Sequence, residues 1–161
     1  MGRALLQSNR NATLLIDVLR SCVAARRFRV KDFVVMPNQV HLLITLGADV
    51  TIEKAMQFIK GGFSFRLRKE TGYAGEVWQR GFSDVRVRDA ESFRRFRIYI
   101  AQNPVEARLV PSADLFPWSF ESQRRLKAAG AKVPSSLGDE PPDGKPCPDT
   151  NPGVGHPGDS D

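Results

Sequence analysis

The first strong hydrophobic pattern runs from Asn11 to Arg27 and has the period of a helix. Its apolar residues recur at the i, i+4, i+8 spacing of a single helix face, and they are Leu14, Leu15, Val18, Leu19, Cys22 and Val23. The charged residues of the segment lie off that face. This pattern predicts an amphipathic helix that packs against a sheet.

The next two segments have the composition of strands. FRVKDFVVM and QVHLLITL are rich in β-branched and aromatic residues, and the Pro37-Asn38 pair between them supplies turn chemistry. We therefore predict an antiparallel hairpin. Alternation along its second strand puts Gln39 and His41 on one face and Val40 and Leu42 on the other.

A second helix is predicted to begin after Thr51, a residue type that caps helices well. Its apolar stripe consists of Ile52, Met56, Ile59, Phe63 and Leu67. Gly61 and Gly62 lie in the middle of this helix, where each glycine costs about 1 kcal/mol relative to alanine. The pair therefore predicts either a kink or a close approach of another backbone.

The pattern downstream changes from loop to strand to helix. GYAGEVWQRGF is typical of a loop, SDVRVRD alternates like a strand, and a last helix is predicted from Ala90 to Gln102, ending at Asn103-Pro104. The order helix, strand, strand, helix, strand, helix predicts an α+β domain with helices packed on an antiparallel sheet. We place this domain at residues 1–133.

Composition separates residues 134–161 from this domain. The segment has seven prolines, five glycines and no aromatic residue, so it cannot bury enough apolar surface to fold, and we predict a disordered acidic tail. It holds six acidic residues and one lysine, a net charge of −5. Because the whole chain carries +6, residues 1–133 carry +11. Such a basic domain favours a polyanionic partner.

Other compositional features exclude several protein classes. The two cysteines, Cys22 and Cys147, are too few for a disulfide framework or a thiolate metal site. No apolar run reaches the roughly 18 residues of a membrane span, and the first residues lack the apolar core of a signal peptide. We therefore expect a cytoplasmic protein with no membrane partner.

The hairpin carries the first candidate chemistry. Gln39 and His41 lie roughly 6.6–7 Å apart along one strand face, and an amide oxygen and an imidazole nitrogen at that spacing can both ligate a divalent ion such as Mn²⁺ or Mg²⁺. The spacing alone favours the alternative, a structural histidine satisfied on a sheet face.

Several blocks resemble one family in the same order. FVVMPNQVHLLI is similar to the metal-binding strand of the HUH single-strand DNA transposases. MQFIKGGFSFR resembles the helix that carries the nucleophile in REP-associated tyrosine transposases, and VWQRGFSDVRVRDAESF, YIAQNPVEARLV and FPWSF resemble that family's later blocks. The resemblance covers roughly residues 3–120. It implies a ferredoxin-like sheet and a tyrosine that attacks single-stranded or hairpin DNA to form a 5′-phosphotyrosine link, assisted by Mg²⁺ or Mn²⁺.

This chain departs from the family pattern at the implied catalytic positions. Gln39 stands where the first histidine is expected, so His41 and Gln39 form a degenerate metal pair that holds its ion weakly. Phe63 or Phe65 stands in place of the family tyrosine. Tyr73 is then a possible relocated nucleophile and Ser64 a weaker one, while Tyr99 is expected to pack against the core.

Basic residues interleaved with aromatic ones suit phosphate contacts and base stacking. The predicted DNA-binding residues are Lys60, Arg66, Arg68, Trp78, Arg80, Arg86 and Arg88. The alternative is an ordinary solvated face. Family members also have a strand before the equivalent of GRALLQSNRNATLL, so either the start is placed too late or that strand is missing, and its loss would leave backbone groups exposed beside the hairpin.

The sequence thus predicts a transposase-like DNA-binding protein with degenerate catalytic residues. A homodimer is a candidate oligomeric state. The rival interpretation is a non-catalytic descendant that binds hairpin DNA as a repressor or architectural protein. A third interpretation is a decayed gene product that barely folds.

Overall fold

The computed structural model describes residues 4–130, so the prediction of a tail at 134–161 lies outside the described part. A single 3-10 turn, Leu5–Gln7, leads into α1, Asn9–Ala24. The predicted apolar face of this helix is buried, apart from Val23 in its last turn, which is 40% exposed. The amphipathic helix is therefore confirmed.

The predicted hairpin is present as β1, Phe28–Val35, and β2, Val40–Leu46. Its turn is closed by the Met36 N–H, which donates to the Gln39 carbonyl at 2.8 Å. The register shifts between Val30 and Asp32, and beyond that bulge Val34 pairs with His41. Cross-strand partners share a face of the sheet, so Val34 and His41 point to the same side.

α2, Ile52–Thr71, begins as predicted at Thr51, whose hydroxyl accepts a hydrogen bond from the Lys54 N–H at 3.2 Å. A Cβ on Gly62 would lie 3.1 Å from Cγ1 of Val18 in α1, whereas one on Gly61 would meet nothing within 4 Å. Of the two explanations for the glycine pair, close approach therefore holds at Gly62. The absent side chain lets α1 and α2 pack together.

The predicted strand at 83–89 is wrong. Between residues 4 and 130 the sheet consists of β1 and β2 alone, and Ser83–Asp89 pairs with neither of them. An alternating sequence suits a strand, but a strand also needs a neighbouring edge to supply hydrogen bonds. Val85 is 46% exposed as a result.

α3, Ala90–Glu106, begins at a capping box in which Asp89 and Ser92 exchange hydrogen bonds. The predicted stop at Asn103-Pro104 is wrong, because the helix continues through Pro104 to Glu106. Proline lacks one N–H, but the carbonyls of Asn103 and Pro104 still accept from Ala107 and Leu109 at 3.0 and 2.9 Å. The last turn therefore keeps most of its hydrogen bonds.

α3 is also not the last helix. A short α4, Phe120–Ala128, follows, with Ser119 as its cap. Its nine residues carry few apolar positions, so no helical period stood out in the sequence. The segment just before α4 covers the free edge of β1, where the Val35 N–H donates to the Trp118 carbonyl at 2.9 Å.

The helices lie on both sides of the hairpin. On one side, the Phe120 ring of α4 meets the Phe33 ring edge-on at 5.9 Å, Gln123 of α4 bonds Arg20 of α1, and α1 packs on α2. α3 lies on the opposite side, the one that His41 faces. The α+β class with helices packed on an antiparallel sheet is confirmed. No helix between residues 4 and 130 is both long and apolar enough to cross a membrane.

Candidate functional site

The space between β2 and α3 brings a histidine and a tyrosine together. The rings of His41 and Tyr99 meet edge-on, with centroids 5.4 Å apart and planes at 85°. Strand alternation aims His41 at α3, and the helix period places Tyr99 and Asn103, one turn apart, on the α3 side that meets the sheet. Asn103 is 2% exposed, whereas His41 and Tyr99 are half-buried.

His41 has an unusual electrostatic environment. Its Nε2 atom is buried and has no hydrogen-bond partner within residues 4–130. Burial lowers the pKa of His41, so the imidazole is neutral near pH 7. A buried nitrogen without a partner costs stability, which makes it a candidate for function.

His41 and its sequence neighbours carry donor types that fit a divalent ion. A neutral imidazole with an unused nitrogen can ligate a metal, and Gln39, which directly precedes β2, carries an amide oxygen of the kind that binds divalent ions. The side-chain oxygen of Asn38 is likewise buried and unpartnered among the described residues. No group of three or more His, Cys, Asp or Glu side chains suited to a metal occurs within residues 4–130. Such a site would rest on neutral donors and bind its ion weakly.

An ion pair beside this site ties α3 to the sheet. Asp32, 8% exposed, accepts from the Arg97 guanidinium at 3.0 Å and from the Phe33 N–H at 2.9 Å. Both carboxylate oxygens of Asp32 are therefore used, and this carboxylate is not a spare metal ligand. Arg97 precedes Tyr99 by two residues, so the pair fixes the helix close to the aromatic contact.

The other candidate nucleophile positions are not brought to His41. Phe63 is fully buried in α2, and the centroid of its ring lies 5.4 Å from that of the Trp78 ring. Phe65, 66% exposed, lines a groove between α1 and α2. The Tyr73 hydroxyl donates to the Glu76 carbonyl at 3.3 Å in the loop after α2, and Ser64 lies on α2 between the two phenylalanines.

The tyrosine that meets His41 is therefore Tyr99, which local sequence patterns do not mark as a site residue. Tyr99 was expected to pack against the core, and it does contact a core-facing strand. The signal that could have identified it is topological. A helix that follows a hairpin on its open face must present one side to His41, and on α3 that side includes the tyrosine of YIAQNP.

The basic residues divide into used and unused groups. Arg66 pairs with Glu70 at 3.3 Å, and the Lys60 ammonium donates to the carbonyls of Gln79 and Gly81 at 3.1 and 2.5 Å. Trp78 donates its indole N–H to the Lys60 carbonyl at 3.0 Å. The polar groups of Lys60 and Trp78 are therefore hydrogen-bonded within the protein. The exposed basic residues of the predicted set are Arg68, Arg80, Arg86 and Arg88.

Comparisons with known proteins agree with this fold. The sequence profile of the family described as "Transposase IS200 like" matches residues 3–103. Among curated proteins, none matches the chain. One similar solved structure is entitled "Structure of the REP associates tyrosine transposase bound to a REP hairpin"; it is 24% identical, covers 86% of this chain and 79% of its own, and has a TM-score of 0.64. The family resemblance found in the sequence is confirmed.

Proposed function

Because the chain belongs to the IS200-like transposase family, we propose that it cleaves and joins DNA strands at a site between β2 and α3. The observation that carries this proposal is the contact between His41 and Tyr99. It unites a metal-ligand residue type and a nucleophile residue type on one half-buried face. The earlier prediction that Phe63 or Phe65 occupies the nucleophile's place stays untested, and neither residue has comparable neighbours.

The proposed substrate is single-stranded or hairpin DNA. A charge of +11 on residues 1–133 favours a polyanion, and the solved protein of similar fold was bound to a REP hairpin. Exposed Arg86 and Arg88 follow an aromatic-rich loop, which suits a strand with accessible bases. We propose the cytoplasm as the compartment, and the predicted homodimer is checked by light scattering with and without DNA.

The chemistry assigns a separate task to each residue. The Tyr99 hydroxyl attacks the scissile phosphorus, the new bond joins its oxygen to phosphorus, and the bond to the 3′-oxygen breaks. The phenolic proton passes to solvent and the leaving 3′-oxygen takes one up. His41 and Gln39 would hold a divalent ion, which supplies Lewis-acid polarisation of the phosphate when bound. Asp32 and Arg97 keep Tyr99 facing the strand.

A covalent-adduct assay tests this proposal. The protein is incubated with 3′-labelled hairpin oligonucleotides in Mn²⁺ and run on a denaturing gel, because the 5′-phosphate fragment stays on the nucleophile. We expect an adduct with the natural chain and with Tyr73→Phe, and none with Tyr99→Phe. An adduct of equal yield in Tyr99→Phe would refute the assignment.

One observation favours a second function, hairpin-DNA binding without catalysis. Gln39 replaces an imidazole by a weaker neutral ligand, which lowers the affinity for a catalytic ion. In that case the natural chain binds the oligonucleotides without an adduct, and Gln39→His restores an adduct that still requires Tyr99. A natural chain that is already as active as Gln39→His would exclude this function.

A further inference from the structure

The loop between Trp78 and Phe82 is held by two reciprocal contacts with α2. Lys60 donates from its ammonium to the carbonyls of Gln79 and Gly81, and its own carbonyl accepts from the Trp78 indole at 3.0 Å. The ammonium also lies 5.8 Å from the centre of the Trp78 ring. Burial lowers the pKa of Lys60, in keeping with an ammonium drawn into the protein.

These contacts dictate the direction of the neighbouring N–H groups. None of the described peptide bonds is cis, and in a trans peptide the carbonyl and the next N–H point in opposite directions. Since the carbonyls of Gln79 and Gly81 point at Lys60, the N–H groups of Arg80 and Phe82 point away from it. Gly81 has a φ of 73°, a left-handed conformation that favours glycine and allows both carbonyls to turn toward one lysine.

The outward groups of the loop lack partners within residues 4–130. Neither the backbone N–H groups of Arg80 and Phe82 nor the Arg80 guanidinium makes a hydrogen bond or ion pair there, and Arg80 is exposed. Two outward amides, separated by Gly81, and a guanidinium form a concentration of donors with no acceptor among the described residues. Backbone amides and arginine are the groups that proteins use to bind phosphate.

We propose that residues 80–82 form a phosphodiester-binding site and that Lys60 is the positioning residue that builds it. The inference rests on the proposed function, because DNA is the ligand. It assigns Lys60 and Trp78 an indirect part, in place of the direct DNA contact that the sequence predicted for them. Arg80 makes the contact, and the lysine shapes the loop that presents it.

The test uses the full-length protein and a fluorescent hairpin oligonucleotide with a single-stranded extension. Affinity is measured across a salt series for the natural chain, Arg80→Gln, Lys60→Met and the double variant. Lys69→Met is the matched control, because it removes one exposed charge from α2 without touching the loop. In parallel, amide resonances of the ¹⁵N-labelled protein are followed as the same oligonucleotide is added.

We expect Arg80→Gln to weaken binding about tenfold, the size of one lost charge-assisted hydrogen bond, and to lower the salt slope by about 0.7–1. Lys60→Met should weaken binding as much, and the double variant no further, because both act on one contact. The amides of Arg80 and Phe82 should shift on DNA addition in the natural chain and not in Lys60→Met. Lys69→Met should bind within about twofold of the natural chain, as for one screened surface charge.

Three outcomes separate the possibilities. If the natural chain binds DNA but the two amides do not shift and Arg80→Gln binds normally, the site is refuted while the proposed function stands. If the natural chain does not bind DNA at all, the proposed function fails. If Lys60→Met unfolds, as thermal denaturation would reveal, Arg80→Gln and the amide shifts of the natural chain still decide the question, because Arg80 is exposed.

Discussion

The two faces of the β1–β2 hairpin differ sharply in what they bury. The Phe33 face meets α4, whose Phe120 completes an aromatic contact, and that layer continues through α1 to α2. The His41 face meets α3 through an ion pair, a histidine with an unpartnered nitrogen and a tyrosine. Apolar packing stabilises the first face, whereas the second pays a desolvation cost for its polar groups. We therefore propose that one face is scaffold and that the other is the site.

The same comparison bears on α2, which the sequence predicts to be the nucleophile helix. Its sequence resembles a family block, and it carries two aromatic residues close together. The fold places α2 against α1, in the scaffold layer, and Phe63 there is fully buried. We therefore expect α2 to govern stability and α3 to govern chemistry.

The largest expected effect is on the yield of the covalent DNA adduct when the tyrosine hydroxyl is removed from α3 and introduced on α2. Tyr99→Phe should abolish the adduct, and adding Phe65→Tyr or Phe63→Tyr should not restore it, because a hydroxyl on α2 is not beside His41. The measurement is the denaturing gel with labelled hairpin DNA. An adduct in Tyr99→Phe combined with Phe65→Tyr would place the site on α2 and reverse the comparison.

The next effect is on stability and concerns the scaffold face. Phe63→Ala should lower the free energy of unfolding by about 3–5 kcal/mol, as for other buried phenylalanines. Phe65→Ala, two residues away and largely exposed, should change it by less than about 1 kcal/mol. Urea unfolding of both variants checks this. Equal losses would mean that Phe65 is packed as tightly as Phe63.

A smaller effect is expected at the ion pair between the sheet and α3. Arg97→Met should destabilise the fold by about 1–2 kcal/mol, since it leaves the mostly buried Asp32 without its charged partner. It should also reduce the adduct yield of the protein that remains folded, because Tyr99 loses its fixed position. Arg94→Met, an exposed residue on the same helix, is the control. Loss of stability with an unchanged adduct yield would limit Asp32 and Arg97 to a structural part.

The smallest effect concerns pH and the beginnings of α2 and α3. Hydrogen bonds from Ser92 lower the pKa of Asp89, so its cap stabilises α3 fully above the unfolded pKa of about 3.9 and is lost as pH falls below it. Asp89→Asn should remove this dependence, because asparagine caps without titrating. The α2 cap, Thr51, does not titrate. Amide exchange at low pH should therefore increase at the start of α3 before α2, and the reverse order would contradict the assignment.

The sequence predicted the elements much better than their arrangement. Helical and alternating periods located α1, both hairpin strands and α2, because burial of one face leaves its period in the sequence. The segment at 83–89 shows the limit, since alternation cannot reveal whether a strand has a neighbour. Tyr99 is a second example of this limit. That it meets His41 depends on which face of the hairpin α3 covers, a long-range property that local patterns do not contain.

The central claim is that chemistry belongs to the α3 face, and the most direct measurement is the position of the DNA link within the protein. After adduct formation with the natural chain, trypsin digestion and mass spectrometry identify the peptide that carries a nucleotide. Our account predicts the link on Tyr99, in the peptide from Ile98 to Arg108. A link on Tyr73, in the peptide from Glu70 to Arg80, or on Ser64 of α2 would contradict it.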